Sequence, residues 1–146
     1  MEFINLIIAF LVCILIGFII FILTINIFIV RKPNDKEWKK IIGLKVHHFT
    51  TLENARKINM GDGYIHLKAS KTLISKCYNW FRPSVYFFID DGNTTKLMKY
   101  LNIKNSEHIK IIVEVSDLDK KNIRLRRYDN VLIYTGDYRG KGKIYL

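Results

Sequence analysis

The sequence predicts a single N-terminal transmembrane helix followed by a small α+β domain with a mixed sheet. Three observations predict this class. The first thirty residues are almost wholly apolar, later segments alternate between strand-like and helix-like patterns, and all 24 Lys and Arg residues of the 146-residue chain follow Val30. Because 12 of the 13 acids also follow Val30, the second part carries a net charge of +12. We divide the chain into a transmembrane helix at 1–30, a basic juxtamembrane linker at 31–40 and a cytoplasmic domain at 41–146.

The apolar run from Phe3 to Val30 contains only three clearly polar residues, Asn5, Thr24 and Asn26. About 20 apolar residues in a helix cross a hydrocarbon core of roughly 30 Å, so this run is long enough to span a bilayer. A cleaved signal peptide instead needs a basic start, an apolar stretch of about 7 to 15 residues and a small-residue cleavage site. The run shows none of these features and predicts a membrane span.

The flanks of the run predict its orientation in the cell membrane. Five basic residues follow it closely: Arg31, Lys32, Lys36, Lys39 and Lys40. Positive charge favours the cytoplasmic side, so we expect the N-terminus outside and the domain inside. Each Lys or Arg near an anionic leaflet contributes about 1 kcal/mol of attraction, which makes anionic lipid headgroups an expected partner. The same five residues are equally explained as topology signals alone.

The second part reads as about six strands with two or three helices. Apolar or alternating segments predict strands at 44–49, 64–67, 84–89, 108–115, 123–127, 131–134 and 143–146. Thr50 or Thr51 is positioned to cap a short helix that runs to Ile58, and further helices are predicted at 71–80 and 94–101. The β-branched and aromatic content of 44–49, 84–89 and 109–115 predicts that these three strands are buried neighbours.

One series of residues resembles the first half of ADP-ribosyltransferase-like domains: His48-Phe49-Thr50, Ala55, Ile58, a glycine turn, Ile65, Ser70 and Val85-Tyr86-Phe87. The likeness covers roughly residues 44–90. It implies that family's fold and the binding of NAD or a related nucleotide, with or without turnover. Carried over by position, His48 would bind the nicotinamide ribose and Tyr86 would stack on nicotinamide, with Thr50 and Ser70 completing the cofactor site.

Two departures from the family's pattern leave the enzymatic activity undecided. Ser84 stands where a glycine often precedes Val-Tyr-Phe, and the late catalytic Glu has no clear counterpart. Glu114 lies inside a predicted strand, and Asp129 and Asp137 are the only later acids. The catalytic residue therefore stays unassigned. A second likeness, to small bacterial proteins of unknown activity, rests on Gly63-Tyr64-Ile65-His66 and names no reaction.

Ordinary structural roles also explain the four candidate site residues. By the period of two in a strand, one of His47 and His48 faces each side of the sheet, so one of them is a half-buried structural histidine. Tyr86 also suits a core position with its hydroxyl satisfied, and Ser70 and Thr50 suit helix caps. Cys13 and Cys77 lie on opposite sides of the membrane boundary and predict neither a disulfide nor a metal site.

Basic residues concentrate in the last third of the chain. This pattern is typical of proteins that bind nucleic acid, anionic lipid or an acidic protein, and equally of a merely solubilising surface. No nucleic-acid-binding motif is recognisable, and a membrane tether places the domain beside lipid headgroups, so the sequence argues against nucleic acid. Beside NAD binding, two functions stay open. One is a non-enzymatic interaction protein, such as an immunity protein against a bacteriocin or toxin, and the other is a scaffold that docks on anionic lipid.

Overall fold

The computed structural model describes residues 2–72, 76–89, 108–126 and 131–145. Its first element is helix α1, Glu2–Thr24, which continues as a π-helical turn over Ile25–Ile29. The run Glu2–Ile29 is long and apolar enough to cross a membrane, as the sequence predicted. Ile22 is the one buried residue of α1, and the other described side chains of this helix are outside any protein core.

Within the described residues, ten strands and two short α-helices follow α1, with 3-10 turns at Val115–Asp117 and Lys120–Asn122. The helices are α2, Asp35–Ile41, and α3, Leu52–Ile58. The strands are β1 Val30–Arg31, β2 Lys45–Thr51, β3 Asn59–Gly61, β4 Tyr64–Leu67, β5 Ser84–Ile89, β6 His108–Glu114, β7 Ile123–Arg126, β8 Val131–Thr135, β9 Tyr138–Lys141 and β10 Lys143–Tyr145. Seven of them match predicted strands to within two residues at either end. The predicted helix at 94–101 lies outside the described residues, as does part of the one at 71–80.

Seven strands form one sheet in the order β1-β7-β8-β5-β2-β6-β10, and the other three form a second sheet, β3-β4-β9. Every pairing between described strands is antiparallel, whereas the sequence predicted a mixed sheet. Parallel neighbours need a crossover of about a dozen residues or more, usually a helix. Helices α2 and α3 have only seven residues each, and α3 leads into the second sheet. Neither helix therefore serves as a crossover between parallel neighbours in the large sheet.

The prediction of three buried neighbouring strands is confirmed, because β5, β2 and β6 are adjacent at the centre of the large sheet. Val46 of β2 lies opposite Val113 of β6 and Ile89 of β5. Val46, Phe87 and Val113 are buried. These three strands therefore supply the middle of the main core.

The two faces of the large sheet are covered by different elements. On one face, Ile65, Leu67 and Tyr138 of the small sheet join the main core with Val46 and Phe87. On the other face, a second apolar cluster joins the end of the α1 run to strand β8 through Ile25, Val30, Val131 and Ile133. The apolar helix and the small sheet thus lie on opposite sides of the large sheet.

The segment 31–40, predicted as a linker, is built into the domain. Strand β1 pairs with β7, with Val30 opposite Arg126. Asn34 then caps α2 in a capping box, in which its side chain accepts from the Glu37 N–H and the Glu37 carboxylate accepts from the Asn34 N–H. The spacing of Asn34 to Glu37 is the signature of a helix start. Because β1 and α2 occupy most of this segment, no long unstructured spacer separates α1 from the domain.

Candidate functional site

The four residues carried over from the ADP-ribosyltransferase resemblance do not meet at one place. His48 extends the β2–β5 register opposite Phe87, and the two rings are in edge contact at 6.0 Å. Side chains alternate along a strand, so Tyr86 points to the opposite face from Phe87 and therefore from His48. Phe87 belongs to the main core, whereas Tyr86 packs against the cluster at the end of α1. The sheet thus separates the two side chains that were to hold the ribose and nicotinamide.

His48 lies just beyond the end of the hydrogen-bonded pairing between β2 and β5. The ladder between these strands comprises only two pairs, the last being His47 opposite Phe88. Beyond it, Nδ1 of His48 bonds to the Tyr86 carbonyl at 3.0 Å. Because a carbonyl can only accept, Nδ1 must carry the proton in this contact. His48 therefore satisfies a strand carbonyl that β2 no longer pairs, which is a structural role.

Burial lowers the pKa of His48, and the bond to Tyr86 offsets part of that shift. The unfolded chain then takes up a proton on His48 at a higher pH than the folded chain does. The stability that His48 contributes is thus present above about pH 6.5 and is lost as the pH falls through this value toward the lower folded pKa. We expect the melting temperature of the wild-type chain to fall between about pH 7.5 and about pH 5.5.

His48→Asn isolates that titration, because an amide also offers a donor to the Tyr86 carbonyl but takes up no proton. The variant should lose most of the pH dependence of the melting temperature in this range. His66→Asn is the matched control and should keep it, since His66 is half-buried and contacts Asp137 instead. If the melting temperature of His48→Asn changed with pH as much as that of the wild type, the role assigned to the titration of His48 would be contradicted.

Thr50 and Ser70 hold separate structural positions. Thr50 is buried on β2 opposite Ile109, and the helix cap that the sequence offered to Thr50 or Thr51 belongs to Thr51, whose hydroxyl accepts from the Asn54 N–H. Ser70 pairs through its backbone with Ser84. Ser84, the residue in place of the family's glycine, is buried and its hydroxyl accepts from the Asn79 amide at 2.7 Å.

Tyr86 lies in an apolar setting, with Tyr78 and Phe88 beside the cluster at the end of α1. Burial raises the pKa of Tyr86 to about 12, which keeps its hydroxyl protonated at neutral pH. A Tyr that stacks on nicotinamide would need an open ring face in a cleft. Tyr86 instead packs against an apolar cluster, which fits its alternative role as a core residue.

Of the three acids considered for catalysis, Asp137 and Glu114 lie within the described residues. Asp137 accepts from the Ala69 N–H at 2.9 Å and contacts Nε2 of His66 at 3.2 Å. These bonds, the first above all, lower the pKa of Asp137 and join β4 to the turn before β9. Glu114 is exposed at the end of β6, opposite Lys45, and Asp129 lies outside the described residues. Among the described residues, no group of three or more His, Cys, Asp or Glu side chains is positioned for a metal.

Several hydrogen bonds meet at Asn26, near the end of the apolar run. Asn26 is 3% exposed. Its amide nitrogen donates to the Ile22 carbonyl at 2.9 Å and to the Cys77 carbonyl at 2.7 Å, while its oxygen accepts from the Trp80 N–H at 2.9 Å. One side chain therefore ties the apolar run to a segment more than fifty residues away in sequence. We call this contact region the helix junction.

Arg124 of β7 completes the helix junction from the other side. Its Nη2 donates to the Asn26 carbonyl at 2.8 Å and to the Val30 carbonyl at 2.6 Å. The last carbonyls of a helix lack partners in the helix itself, and a cation there also opposes the negative end of the helix dipole. Burial lowers the pKa of Arg124 and the nearby charge of Arg82 lowers it further, yet a guanidinium stays charged in proteins.

The segment bound by Asn26 presents two large aromatic side chains to the surroundings. Trp80 is 41% and Phe81 is 46% exposed. Both adopt left-handed backbone conformations, with φ of 50° and 61°, which cost about 1 to 2 kcal/mol for each residue with a side chain. The bond from Trp80 to Asn26 and the bond from the Phe81 N–H to the Lys76 carbonyl at 2.7 Å hold this turn. The helix junction thus stabilises a left-handed backbone conformation that is otherwise unfavourable and that leaves both aromatic rings exposed.

The basic residues predicted to meet lipid fall into two groups. Arg31 and Lys32 lie beside the end of the apolar run, where Arg31 forms an ion pair with Glu37. Lys36, Lys39 and Lys40 are exposed on α2, whose Trp38 and Ile41 pack into the core on the opposite face of the sheet. At the helix junction the turn adds Lys76 and Arg82, and Arg126 lies over the Tyr78 ring, 5.2 Å from its centroid.

The helix junction was not predicted from the sequence. An Asn near the end of an apolar run is a signal in itself, because a polar side chain in apolar surroundings is costly and usually has a partner. Its partners at Cys77, Trp80 and Arg124 are distant in sequence and carry no motif. None of the known protein families, curated proteins or solved structures that were compared with this chain matches it.

Proposed function

We propose that this chain is a non-enzymatic, single-pass membrane protein whose basic domain is held against the cytoplasmic leaflet and binds anionic lipid headgroups. The observation that carries the proposal is the helix junction, in which Asn26, Arg124 and strand β1 build the end of the apolar helix into the domain. A domain joined to its anchor in this way stays at the membrane surface.

The exposure of α1 supports a membrane span. A core helix of a water-soluble protein buries much of its surface, whereas this helix exposes nearly all of it. Its integration also argues against a cleaved signal, since cleavage after the apolar run would remove Asn26, to which the Trp80 N–H is bonded. The five basic residues that follow the run within ten positions favour a cytoplasmic domain.

The position of charge supports the lipid as ligand. Lys32, Lys76 and Arg82 flank the end of the apolar helix, and Lys32 and Arg82 are exposed. Such residues meet lipid headgroups as soon as the helix is inserted, at an effective concentration that no soluble ligand reaches. We call these three residues the basic collar.

NAD binding has less support from the geometry, because the sheet lies between the side chains of His48 and Tyr86. If NAD released heat on titration into the full chain, and His48→Ala and Tyr86→Ala each abolished that heat, the chain would have a nucleotide site that this proposal lacks. Release of nicotinamide would show in addition that the chain is an enzyme. The immunity-protein alternative is compatible with this architecture, and a partner toxin would be bound in addition to lipid.

The lipid proposal is tested on the detergent-solubilised full chain by native mass spectrometry during titration with phosphatidylglycerol or phosphatidylcholine. Replacing Lys32, Lys76 and Arg82 by Gln should weaken phosphatidylglycerol binding by up to roughly a hundredfold, at about 1 kcal/mol per charge. Added salt should weaken wild-type binding, because exposed charges are screened.

The matched control replaces Lys57, Lys68 and Lys141 by Gln. It removes the same charge from exposed positions on α3 and the small sheet, which lie on the other side of the large sheet. This control should bind phosphatidylglycerol like the wild type. Equal losses in the two triple variants would mean that net charge, and not the basic collar, attracts the lipid.

A further inference from the structure

The turn carrying Trp80 and Phe81 lies at a definite depth relative to the apolar helix. A span that begins at Phe3, at 1.5 Å per residue, crosses a hydrocarbon core of roughly 30 Å in about 20 residues and reaches the far edge at Ile22. Asn26 is four residues further, about 6 Å beyond the hydrocarbon edge and inside the headgroup region. The Trp80 N–H is 2.9 Å from the Asn26 side chain, so the turn is fixed at that level.

We propose that Trp80 and Phe81 insert into the cytoplasmic headgroup region of the bilayer that α1 spans and form a second membrane contact of the domain. This inference rests on the proposed membrane span. It adds an aromatic insertion site to the electrostatic attraction of the basic collar.

Three properties of the turn that carries Trp80 and Phe81 fit the bilayer surface as its partner. Trp combines an apolar ring with an N–H donor, and such residues are enriched where the hydrocarbon meets the headgroups. Phe81 adds an apolar ring, and the transfer of such a ring from water to the acyl chains of the lipid is favourable. Arg82 follows directly and is exposed, which places a cation where lipid phosphates lie. An apolar tip with an adjoining cation matches an anionic bilayer surface better than a soluble protein partner.

The helix junction explains how insertion is maintained. Asn26 receives the Trp80 N–H and donates to the Cys77 carbonyl, so the turn cannot move away from the helix without leaving buried polar groups unpaired. Arg124 fixes the same helix end to β7. Two points of membrane contact on one rigid unit restrict the tilt of the domain, which a single flexible tether would not do.

Lipid depth quenching tests the insertion on the full chain in proteoliposomes. Three proteins are compared: the wild type, Trp80→Phe, and Trp80→Phe combined with Tyr64→Trp. The chain has two Trp residues, so the difference between wild type and Trp80→Phe isolates the fluorescence of Trp80 without altering Trp38. Tyr64 is 49% exposed on β4 of the small sheet and supplies a Trp with similar exposure on the other side of the large sheet.

We expect lipids brominated near the headgroup to quench Trp80 several-fold more than the Trp at position 64. Lipids brominated near the chain ends should quench Trp80 less. Acrylamide in the water should show the opposite order between the two sites. Equal bromine quenching of both sites, or a Trp80 that acrylamide quenches as strongly as the control, overturns the insertion.

Alkaline carbonate extraction of the same proteoliposomes separates this inference from the proposed span. A chain that carbonate releases is not membrane-spanning, and the proposed function and the insertion fail together. A chain that resists extraction while Trp80 remains exposed to acrylamide retains the span and refutes the insertion alone. Resistance to extraction with strong bromine quenching of Trp80 supports both.

Discussion

Val113→Asp is expected to leave the domain unfolded. Val113 is 1% exposed near the end of β6, opposite Val46. A carboxylate there would be buried without a partner, which costs about 3 to 5 kcal/mol where it has been measured for broken buried pairs. The free energy of unfolding of a native domain is only about 5 to 15 kcal/mol. The packing lost around residue 113 adds to the penalty.

The unfolding of Val113→Asp is measured on the micelle-solubilised full chain by near-ultraviolet circular dichroism and limited proteolysis. Ser116→Asp is the matched control, because it adds the same charge three residues later at an exposed position and should melt like the wild type. A Val113→Asp chain with the wild-type melting temperature would show that β6 is not a core strand.

Asn26→Leu should have the next largest effect, because it removes the hydrogen bonds on which the helix junction depends. The Cys77 carbonyl would lose its donor and the Trp80 N–H its acceptor. Each buried polar group left unpaired costs about 1 to 3 kcal/mol. The two unpaired groups cost about 2 to 6 kcal/mol together, so for a domain of this size the melting temperature should fall by roughly 6 °C or more.

Proteolysis should localise the effect of Asn26→Leu to the turn at residues 76–82, which the wild type protects. Asn5→Leu is the matched control: it makes the same change in the same helix at an exposed position and should leave both the melting temperature and the protection unchanged. If Asn26→Leu behaves like Asn5→Leu, the apolar helix is not coupled to the domain through this residue.

Local chemistry explains why much of the fold was predictable. The β-branched and aromatic segment at 84–89 forms β5 with those limits, and alternation at 123–127 locates β7 to within a residue. Thr51 caps α3, as a hydroxyl before a helical pattern suggests. These signals depend on neighbours within a few residues, which the sequence displays directly.

The long-range features were not predictable in the same way. Strand β1 has two residues, too few for any periodicity, and it exists because β7 offers a free edge. The alternation rule did foresee that His47 and His48 face opposite sides. Which of them shares a face with Tyr86 depends on the register between β2 and β5, and no single-strand pattern contains that information. The apparent motif thus joined residues from two faces of one sheet.

Docking of the basic domain on the cytoplasmic leaflet requires that the apolar helix crosses the membrane with the domain inside the cell. The most direct test adds protease to intact spheroplasts of a bacterial host that expresses the chain with a C-terminal tag. We predict that the tag is resistant until the membrane is permeabilised and is then digested. A tag that is digested without permeabilisation would contradict the orientation, and with it the docking of the basic domain on the cytoplasmic leaflet.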